Sequence, residues 1–439
     1  MTFFFRYLTN NRLSKKPWKP SSSRRRRRRI STRTIIEIMK RQSEEASSCT
    51  NVMDLPGHIL IDILSRLPLD SILFSRCVCT TWRMLVSDTL FSSLHLARAR
   101  PLELFLRANS LGCVSATLHW VDVDSMVKTA PPANRNERRE TRLKTKICLP
   151  LPTSSRSDSF TVRDFGIVNS CNGLICLSKS IYNYPVIVCN PFTGECVTIP
   201  NSQEDDQFWG PVVSGFGYCP RSHKYKVLRL GFRPEHMFQS MAEVYTVGTT
   251  SWRSIGCAPD LSFSLFPTYL NGIIHWVSDD EKGPVVIVAF DFQREQFSVV
   301  GLPSHFGEAH KERENLHHMN MGVLGGCLSV CDVTFVDHFD VWVMKQYGDS
   351  NCWTKDYVIH THFGHLYQPL KLLENGDIWL MYDRRELVTY SPVERYFTHL
   401  RIHGVLSVFE AITHVPSFLP LTDAVAGDHG NLQIMKARY

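Results

Sequence analysis

A loose strand unit recurs along residues 105–420 and restricts this part of the 439-residue chain to β-rich architectures. Each unit has a glycine-containing turn, an apolar strand that follows it at once, and a second strand after a variable turn. Asn-Gly supplies the positive φ that a tight turn between strands needs. The opening turns are Asn172-Gly173, Asn271-Gly272 and Asn375-Gly376, and the second strands are predicted at Val186–Asn190, Val286–Phe290 and Leu387–Tyr390.

The spacing of these units favours a propeller. With Gly217 and Gly326 as further markers, the steps between glycines 173, 217, 272, 326 and 376 are 44, 55, 54 and 50 residues. Such a period, with several short strands in each step, suits propeller blades, and a closed radial array protects its strand edges. Stretches near Val114–Val121 and Val405–Ile412 would join the first and last blades. Because the repeat is irregular, β-sandwich-type repeats are the alternative.

Residues 52–96 follow a helical pattern instead. Apolar residues from Ile59 to Leu67 recur at helical spacing, and Pro68 ends this first helix. Asp70 can cap a second short helix, and Thr80 or Thr81 a third. A module of about 45 residues buries little surface by itself. Some large apolar side chains should therefore either meet a protein partner or pack onto the rest of the chain, and the pattern alone does not separate these two outcomes.

The same stretch resembles an F-box. Two Leu-Pro pairs, Leu55-Pro56 and Leu67-Pro68, flank the aliphatic stripe, and Arg76-Cys77-Val78-Cys79 precedes Trp82. Many family members have a lysine before the tryptophan, where this chain has Thr80-Thr81. The resemblance implies docking on a Skp-type adaptor of cullin-based SCF ubiquitin ligases. The implied adaptor-binding residues are Leu55, Pro56, Ile59, Leu60, Ile63, Leu64, Leu67, Pro68, Ile72, Cys77, Val78, Cys79 and Trp82.

The β-rich region is similar to the plant F-box-associated interaction domain, which is propeller-like and related in outline to kelch repeats. Together the two resemblances imply a substrate-recognition subunit of an SCF-type ubiquitin ligase, linked through the adaptor to cullin and RING subunits. Its β domain would capture an unknown target protein for ubiquitination and proteasomal degradation. The motifs that carry this resemblance are Gly166–Leu174, Asn190–Glu195, Gly215–Tyr218 with Lys224–Val227, Val244-Tyr245 with Ser251–Arg253, and Leu270–Trp276.

The basic charge of the chain is confined to residues 1–50, which have a balance of +11, whereas the remainder has a balance of −4. Six consecutive arginines, Arg24–Arg29, repel one another, so we expect a disordered tail. It could be a nuclear-import or polyanion-binding segment, a transit peptide, or an upstream extension with Met39 as an alternative start. The mildly acidic body argues against a nucleic-acid partner. Residues 421–439 are predicted to form a C-terminal tail.

No motif indicates catalysis. The chain has no phosphate-binding loop and no Gly-x-Ser-x-Gly elbow, and His275 beside Trp276 fits a packed core histidine. Its 14 cysteines lack the paired spacing of a zinc site. No run reaches the ~20 apolar residues of a membrane span. We therefore expect a non-catalytic receptor without a metal or cofactor, in the nucleus, the cytoplasm or both. A nuclear or nucleic-acid role of the arginine tail and a propeller enzyme are the alternatives.

Three loops are the candidates for target recognition, because loops of this length often carry binding specificity. They are Asn201–Phe208, which contains an acidic run, Arg233–Met237 and Ser304–His318.

Overall fold

The computed structural model divides the chain into two compact units, Met1–Pro56 and Gly57–Tyr439, and the elements below belong to the second. It describes residues 52, 55–98, 103–108, 117–122, 139–142, 145–148, 165–179, 186–200, 209–232, 239–259, 267–277, 286–304, 306, 319–361, 365–403, 409–425 and 434–436. All the residues predicted as a basic tail, 1–50, including the arginine run, lie outside these ranges.

Four helices open the second unit, one more than the sequence predicted. They are α1 (Gly57–Ser65), α2 (Leu69–Val78), α3 (Thr80–Val86) and α4 (Thr89–Arg98). The predicted stop after Leu67 is present, because Pro68 separates α1 from α2. Asp88 starts the additional fourth helix, since its carboxylate accepts a hydrogen bond from the Leu90 amide at 2.8 Å.

The strands that follow form five consecutive sheets and one composite sheet. Sheet 1 contains β5 (Phe165–Cys171), β6 (Leu174–Lys179), β7 (Val186–Asn190) and β8 (Glu195–Ile199). Sheet 2 contains β9 (Trp209–Cys219), β10 (Lys224–Phe232), β11 (Ser240–Thr246) and β12 (Trp252–Cys257). Sheet 3 contains β13 (Thr268–Leu270), β14 (Ile273–Val277), β15 (Ile287–Asp291) and β16 (Gln296–Val300). Sheet 4 contains β17 (Met319–Leu324), β18 (Cys327–Asp332), β19 (His338–Met344) and β20 (Trp353–His360). Sheet 5 contains β21 (Tyr367–Leu372), β22 (Ile378–Tyr382), β23 (Glu386–Ser391) and β24 (Tyr396–His403).

Sheet 6 closes the array with strands from both ends of the domain. Its order is β25 (Phe409–His414), β1 (Glu103–Ala108), β2 (Thr117–Asp122) and β4 (Thr145–Cys148). This confirms the prediction that stretches near Val114–Val121 and Val405–Ile412 join the first and last blades. Contacts run from sheet to sheet around the ring and return from β25 to β5. The domain is therefore a β-propeller, and the alternative of sandwich-type repeats is wrong.

Two sheets have a fifth strand at the outer edge. β3 (Arg139–Arg142) pairs in parallel with β24, and β26 (Ile434–Lys436) pairs with β8. A short helix, α5 (Leu421–Ala424), lies between β25 and β26 in the chain. Residues predicted as a C-terminal tail thus supply a helix and an edge strand to the folded unit.

The connections define two ends of the propeller. At what we call the near end, the first strand of each consecutive sheet turns into the second and the third into the fourth. At the far end, the second strand turns into the third, and the chain passes to the next sheet. The predicted Asn-Gly turns are at the near end, where Asn172 and Asn271 have φ values of 47° and 49°. The strands predicted to be second in each unit are third in their sheets, because each sheet begins with a strand that precedes the Asn-Gly turn.

One proposed marker has a different role. Gly217 lies within β9 rather than in a turn. A Cβ atom at this position would lie 2.1 Å from Cδ2 of Phe292 in sheet 3, so the glycine is required by close packing between sheets.

Candidate adaptor-docking surface

The thirteen residues predicted to bind an adaptor divide by burial. Leu60, Leu64 and Ile72 are buried within the chain. Ile63, Leu67, Cys79 and Trp82 are half-buried, and Leu55, Pro56, Ile59, Pro68, Cys77 and Val78 are exposed. In this conformation only the half-buried and the exposed residues offer a surface to another protein.

Three further apolar residues of the helices are exposed and were missed by the motif. They are Phe74, 72% exposed, Met84, 73% exposed, and Leu90. Phe74 and Val78 are four residues apart on α2, so they share one face of that helix. We call Ile59, Phe74, Val78, Met84 and Leu90 the exposed helical set. Among the described residues of the second unit, these five are part of a total of eleven exposed large apolar side chains, so exposed apolar residues are concentrated on the short helices.

The opposite side of the helices is buried against the propeller. One apolar cluster contains Ile61, Leu64, Ile72, Val86 and Phe91 from the helices. It continues into sheets 1 and 6 through Phe105, Leu118, Ile167, Ile175, Leu177, Ile187, Cys189, Phe192 and Cys196, and into the following segment through Phe418. Of the two outcomes left open by the sequence pattern, packing onto the rest of the chain therefore applies to this side of the module, whereas the other side stays exposed.

The helices contact the near end of the propeller through the segment 415–420, which we call the strap. The ring of Phe418 in the strap packs edge-on against Phe91 at 5.8 Å and against His95 at 5.4 Å. His95 also donates a hydrogen bond to the Pro416 carbonyl, although burial, the larger effect, lowers its pKa. Arg76 donates from Nη1 to the carbonyl oxygen of Phe192 at 2.6 Å. The guanidinium of Arg76 thus ties α2 directly to sheet 1.

The strap is held by residues of the propeller motifs. Asn190 donates to the carbonyl oxygens of Ser417 and Leu419 at 3.0 and 2.9 Å, while its Oδ1 accepts from the Phe192 amide. At Gly173, a Cβ atom would lie 1.9 Å from the Cβ of Ser417, so only glycine allows this approach. The Asn-Pro-Phe and Asn-Gly motifs therefore build the platform on which the helices rest.

Two local contacts organise the helices themselves. The carboxylate of Asp62 in α1 pairs with Arg66 at 3.1 Å and with Arg98 of α4 at 2.7 Å. Hydrogen bonds from these two guanidinium groups lower the pKa of Asp62. The cap of α3 is the sulfur of Cys79, which accepts from the Trp82 amide, whereas the sequence suggested Thr80 or Thr81.

Two titratable groups of the propeller, His275 and Cys171, are packed in its interior. His275 is fully buried, with Nδ1 2.9 Å from the Thr268 carbonyl oxygen and Nε2 2.8 Å from the Tyr347 hydroxyl. Burial lowers the pKa of His275 to about 4 and raises that of the Cys171 thiol to about 12. His275 thus matches the prediction of a core histidine, and a thiol held protonated is a weak nucleophile.

No three His, Cys, Asp or Glu side chains among the described residues are grouped to hold a metal ion. Within the same residues, no helix is long and apolar enough to cross a membrane. Two of the predicted recognition loops, 201–208 and 233–237, lie outside the described residues, as does most of 304–318, of which Ser304 and Phe306 are described. The strands that border these loops all meet them at the far end.

A small helical module with one apolar side exposed, mounted on a closed propeller, defines a two-module binding protein. Residues 52–93 match the model of the F-box domain, and residues 132–402, more than half of the chain, match that of the F-box associated beta propeller domain. The chain therefore belongs to the family of F-box proteins with an associated β-propeller domain.

Relatives from Arabidopsis thaliana agree with this assignment. F-box protein At3g07870 is 29% identical over 82% of this chain and 90% of its own length. F-box protein CPR1 is 25% identical over 88% and 92% of the two chains. F-box/kelch-repeat protein At3g23880 is 26% identical over 69% of this chain and 78% of its own length. Its name gives partial support to the predicted relation to kelch repeats. Members of this family are substrate receptors, generally without catalytic activity, so the assignment supports an SCF substrate-adaptor role.

Proposed function

We propose that this protein is the non-catalytic substrate-recognition subunit of an SCF-type ubiquitin ligase. The helices dock on a Skp-type adaptor, and the propeller holds a target protein for ubiquitination and degradation. The receptor itself supplies no reacting group, because it acts by holding the target close to a conjugating enzyme carried by the cullin and RING subunits. We place this activity in the nucleus, the cytoplasm or both.

The observation that carries the proposal is the exposed helical set. A polar surface would be expected on helices whose other side is already buried against the chain's own core. Instead, Phe74, Val78 and Met84 are more than half exposed. Apolar surface of this kind marks a site of protein association, since its removal from water stabilises a complex by ~25 cal/mol per Å². Burial of Leu60, Leu64 and Ile72 leaves adaptor binding to the exposed and half-buried members of the predicted interface.

The proposal is tested by co-purification of the full-length chain with a plant Skp-type adaptor. Val78→Asp and Phe74→Asp place a charge in the exposed set without entering the core, and we expect each to weaken adaptor binding at least tenfold. Val393→Asp is the matched control, because Val393 is 86% exposed in the β23–β24 turn of sheet 5 and lies outside the helical module. Unchanged melting temperatures would verify folding. Equal adaptor binding by all three variants, or none by folded wild type, would refute the proposal.

A further inference from the structure

The far end of the propeller has its own exposed apolar group, in sheets 4 and 5. Val336 is 75% exposed in the turn between β18 and β19. Next to it, the rings of Phe335 and His338 are stacked with centroids 4.4 Å apart, and His338 lies 5.9 Å from His360 at the end of β20. Leu366, in the connection from sheet 4 to sheet 5, is also exposed. We call Phe335, Val336, Asp337, His338, His360 and Leu366 the far-end patch.

Hydrogen bonds and ring packing join the parts of this patch. The Thr361 amide donates to the Asp337 carbonyl oxygen at 2.9 Å, which ties the end of β20 to the β18–β19 turn. Behind the surface, Phe339 of sheet 4 stacks on Tyr367 of sheet 5 at 4.2 Å. On the other side, the Leu366 amide donates to Asp383 at 3.0 Å. The patch is thus part of the rigid frame of two adjoining sheets.

The charge of the patch indicates what it can bind. The side chain of Asp337 is 80% exposed and lies 2.7 Å from Nδ1 of His338. The hydrogen bond from His338 is the largest effect that lowers the pKa of Asp337, so this carboxylate is ionised at neutral pH. An aliphatic and aromatic surface beside such a carboxylate suits an apolar anchor side chain with a basic residue next to it.

The two ends of the propeller differ in what already covers them. The near end is covered at sheet 1 by the strap and the helices, through the contacts of Arg76 and Phe418. The far end receives the connections from each sheet to the next, among them the 18 residues between β16 and β17. Long loops on a rigid scaffold commonly carry binding specificity.

We propose that the far-end patch docks the target protein, through a target segment that has an apolar anchor and a neighbouring lysine or arginine. This inference rests on the proposed function and specifies its substrate-binding site. It places the target and the adaptor at opposite ends of the propeller. Recognition uses Val336 and Leu366 as the apolar contact and Asp337 as the contact for the basic residue.

A displayed library of random dodecapeptides, selected on the full-length wild-type chain, tests this assignment. We expect enriched peptides to contain an aromatic or aliphatic residue next to lysine or arginine. Val336→Asp and Asp337→Lys should each weaken an enriched peptide at least tenfold. Val393→Asp should leave binding unchanged, since it makes the same substitution in an exposed turn at the near end. No enrichment, or equal losses with Val336→Asp and Val393→Asp, would overturn the proposal.

The outcome is separable from that of adaptor binding. Val78→Asp should still bind an enriched peptide with wild-type affinity, because it changes only the helices. Peptide binding at the patch by a chain that does not bind the adaptor would sustain this site and refute the ligase role. Adaptor binding without any peptide bound at the patch would sustain the ligase role and refute this target site.

Discussion

The helical module and the propeller bury their apolar residues in different ways. The propeller fills the spaces between its sheets with its own side chains, as in the cluster between sheets 2 and 3 around Trp276, Phe290 and Phe292. The helices are too short to bury their apolar residues among themselves, and one side of them packs against Phe105, Phe192 and Phe418. Their other side remains apolar and exposed. The chain itself supplies the neighbour on one side of the small module, and we propose that the adaptor supplies the neighbour on the other.

The largest expected loss of stability comes from a substitution on the side of the helices that packs against the propeller. Phe418→Ala removes a ring that is almost fully buried against Phe91 and His95. Truncation of a buried phenylalanine lowers the free energy of unfolding by about 3–5 kcal/mol. We expect faster amide hydrogen exchange throughout α1–α4 and little change in sheets 3 and 4. Uniformly faster exchange over the propeller, or none at all, would break the distinction between the two regions.

A glycine pair compares tight packing in the two regions. At Gly322 in β17, a Cβ atom would lie 2.0 Å from the carbonyl oxygen of Pro369 in sheet 5, and backbone cannot move away as a side chain can. Gly322→Ala should therefore lower the free energy of unfolding by at least about 1–3 kcal/mol, the usual cost of overpacking. Gly57→Ala is the control, because its nearest neighbour would be 3.7 Å away. Urea denaturation of both variants measures the difference, and equal midpoints would contradict it.

Acid should destabilise the propeller through its buried histidines. Burial lowers the pKa of His275 to about 4 and that of His414 to about 3, against an ordinary value of 6.5. Each is neutral in the fold, so its contribution to stability is present above pH 6.5 and is lost progressively as the pH falls toward the folded value. Between pH 6.5 and 5 the loss is about 2 kcal/mol for each histidine.

Denaturation at pH 7 and pH 5 measures this loss. His414→Gln removes one titrating group, so it should lower stability at pH 7 and reduce the further decrease at pH 5. A variant with the same decrease as wild type would show that His414 does not titrate as argued.

The smallest effect concerns a cap in the helices. Cys79 caps α3 through a sulfur atom 3.4 Å from the Trp82 amide. A serine oxygen is a better acceptor at this position, so Cys79→Ser should raise the free energy of unfolding by about 0.5 kcal/mol. Cys79→Ala, measured by the same thermal denaturation, should not raise it. Stabilisation by alanine as well would assign the gain to something other than the cap.

The sequence identified both modules but not the surface between them. Two Leu-Pro pairs and the Asn-Gly turns are local signals, because they depend on neighbours in the chain, and they predicted the helices and the repeated strands. Helical spacing also marked Leu64 as apolar. Helical spacing could not show that Leu64 packs against the propeller whereas Phe74 is exposed, because α1 and α2 each have apolar residues on more than one side.

Long-range contacts explain what the pattern missed. Arg76 reaches Phe192 across 116 positions of the chain, and no spacing rule connects them. The same holds for Phe418, whose strap had no motif of its own. Two of the four strands of sheet 6, β2 and β25, were predicted because a closed propeller needs a last blade, which shows that topology can supply long-range information where periodicity cannot.

Hydrogen–deuterium exchange of the full-length chain, with and without a plant Skp-type adaptor, can show whether the exposed helical set is the docking surface. We expect the adaptor to slow exchange in α2 and α3, which include Phe74, Val78 and Met84. Exchange in the far-end turns 333–337 and 383–385 should stay unchanged. Protection of those turns without protection of α2 and α3 would contradict this expectation.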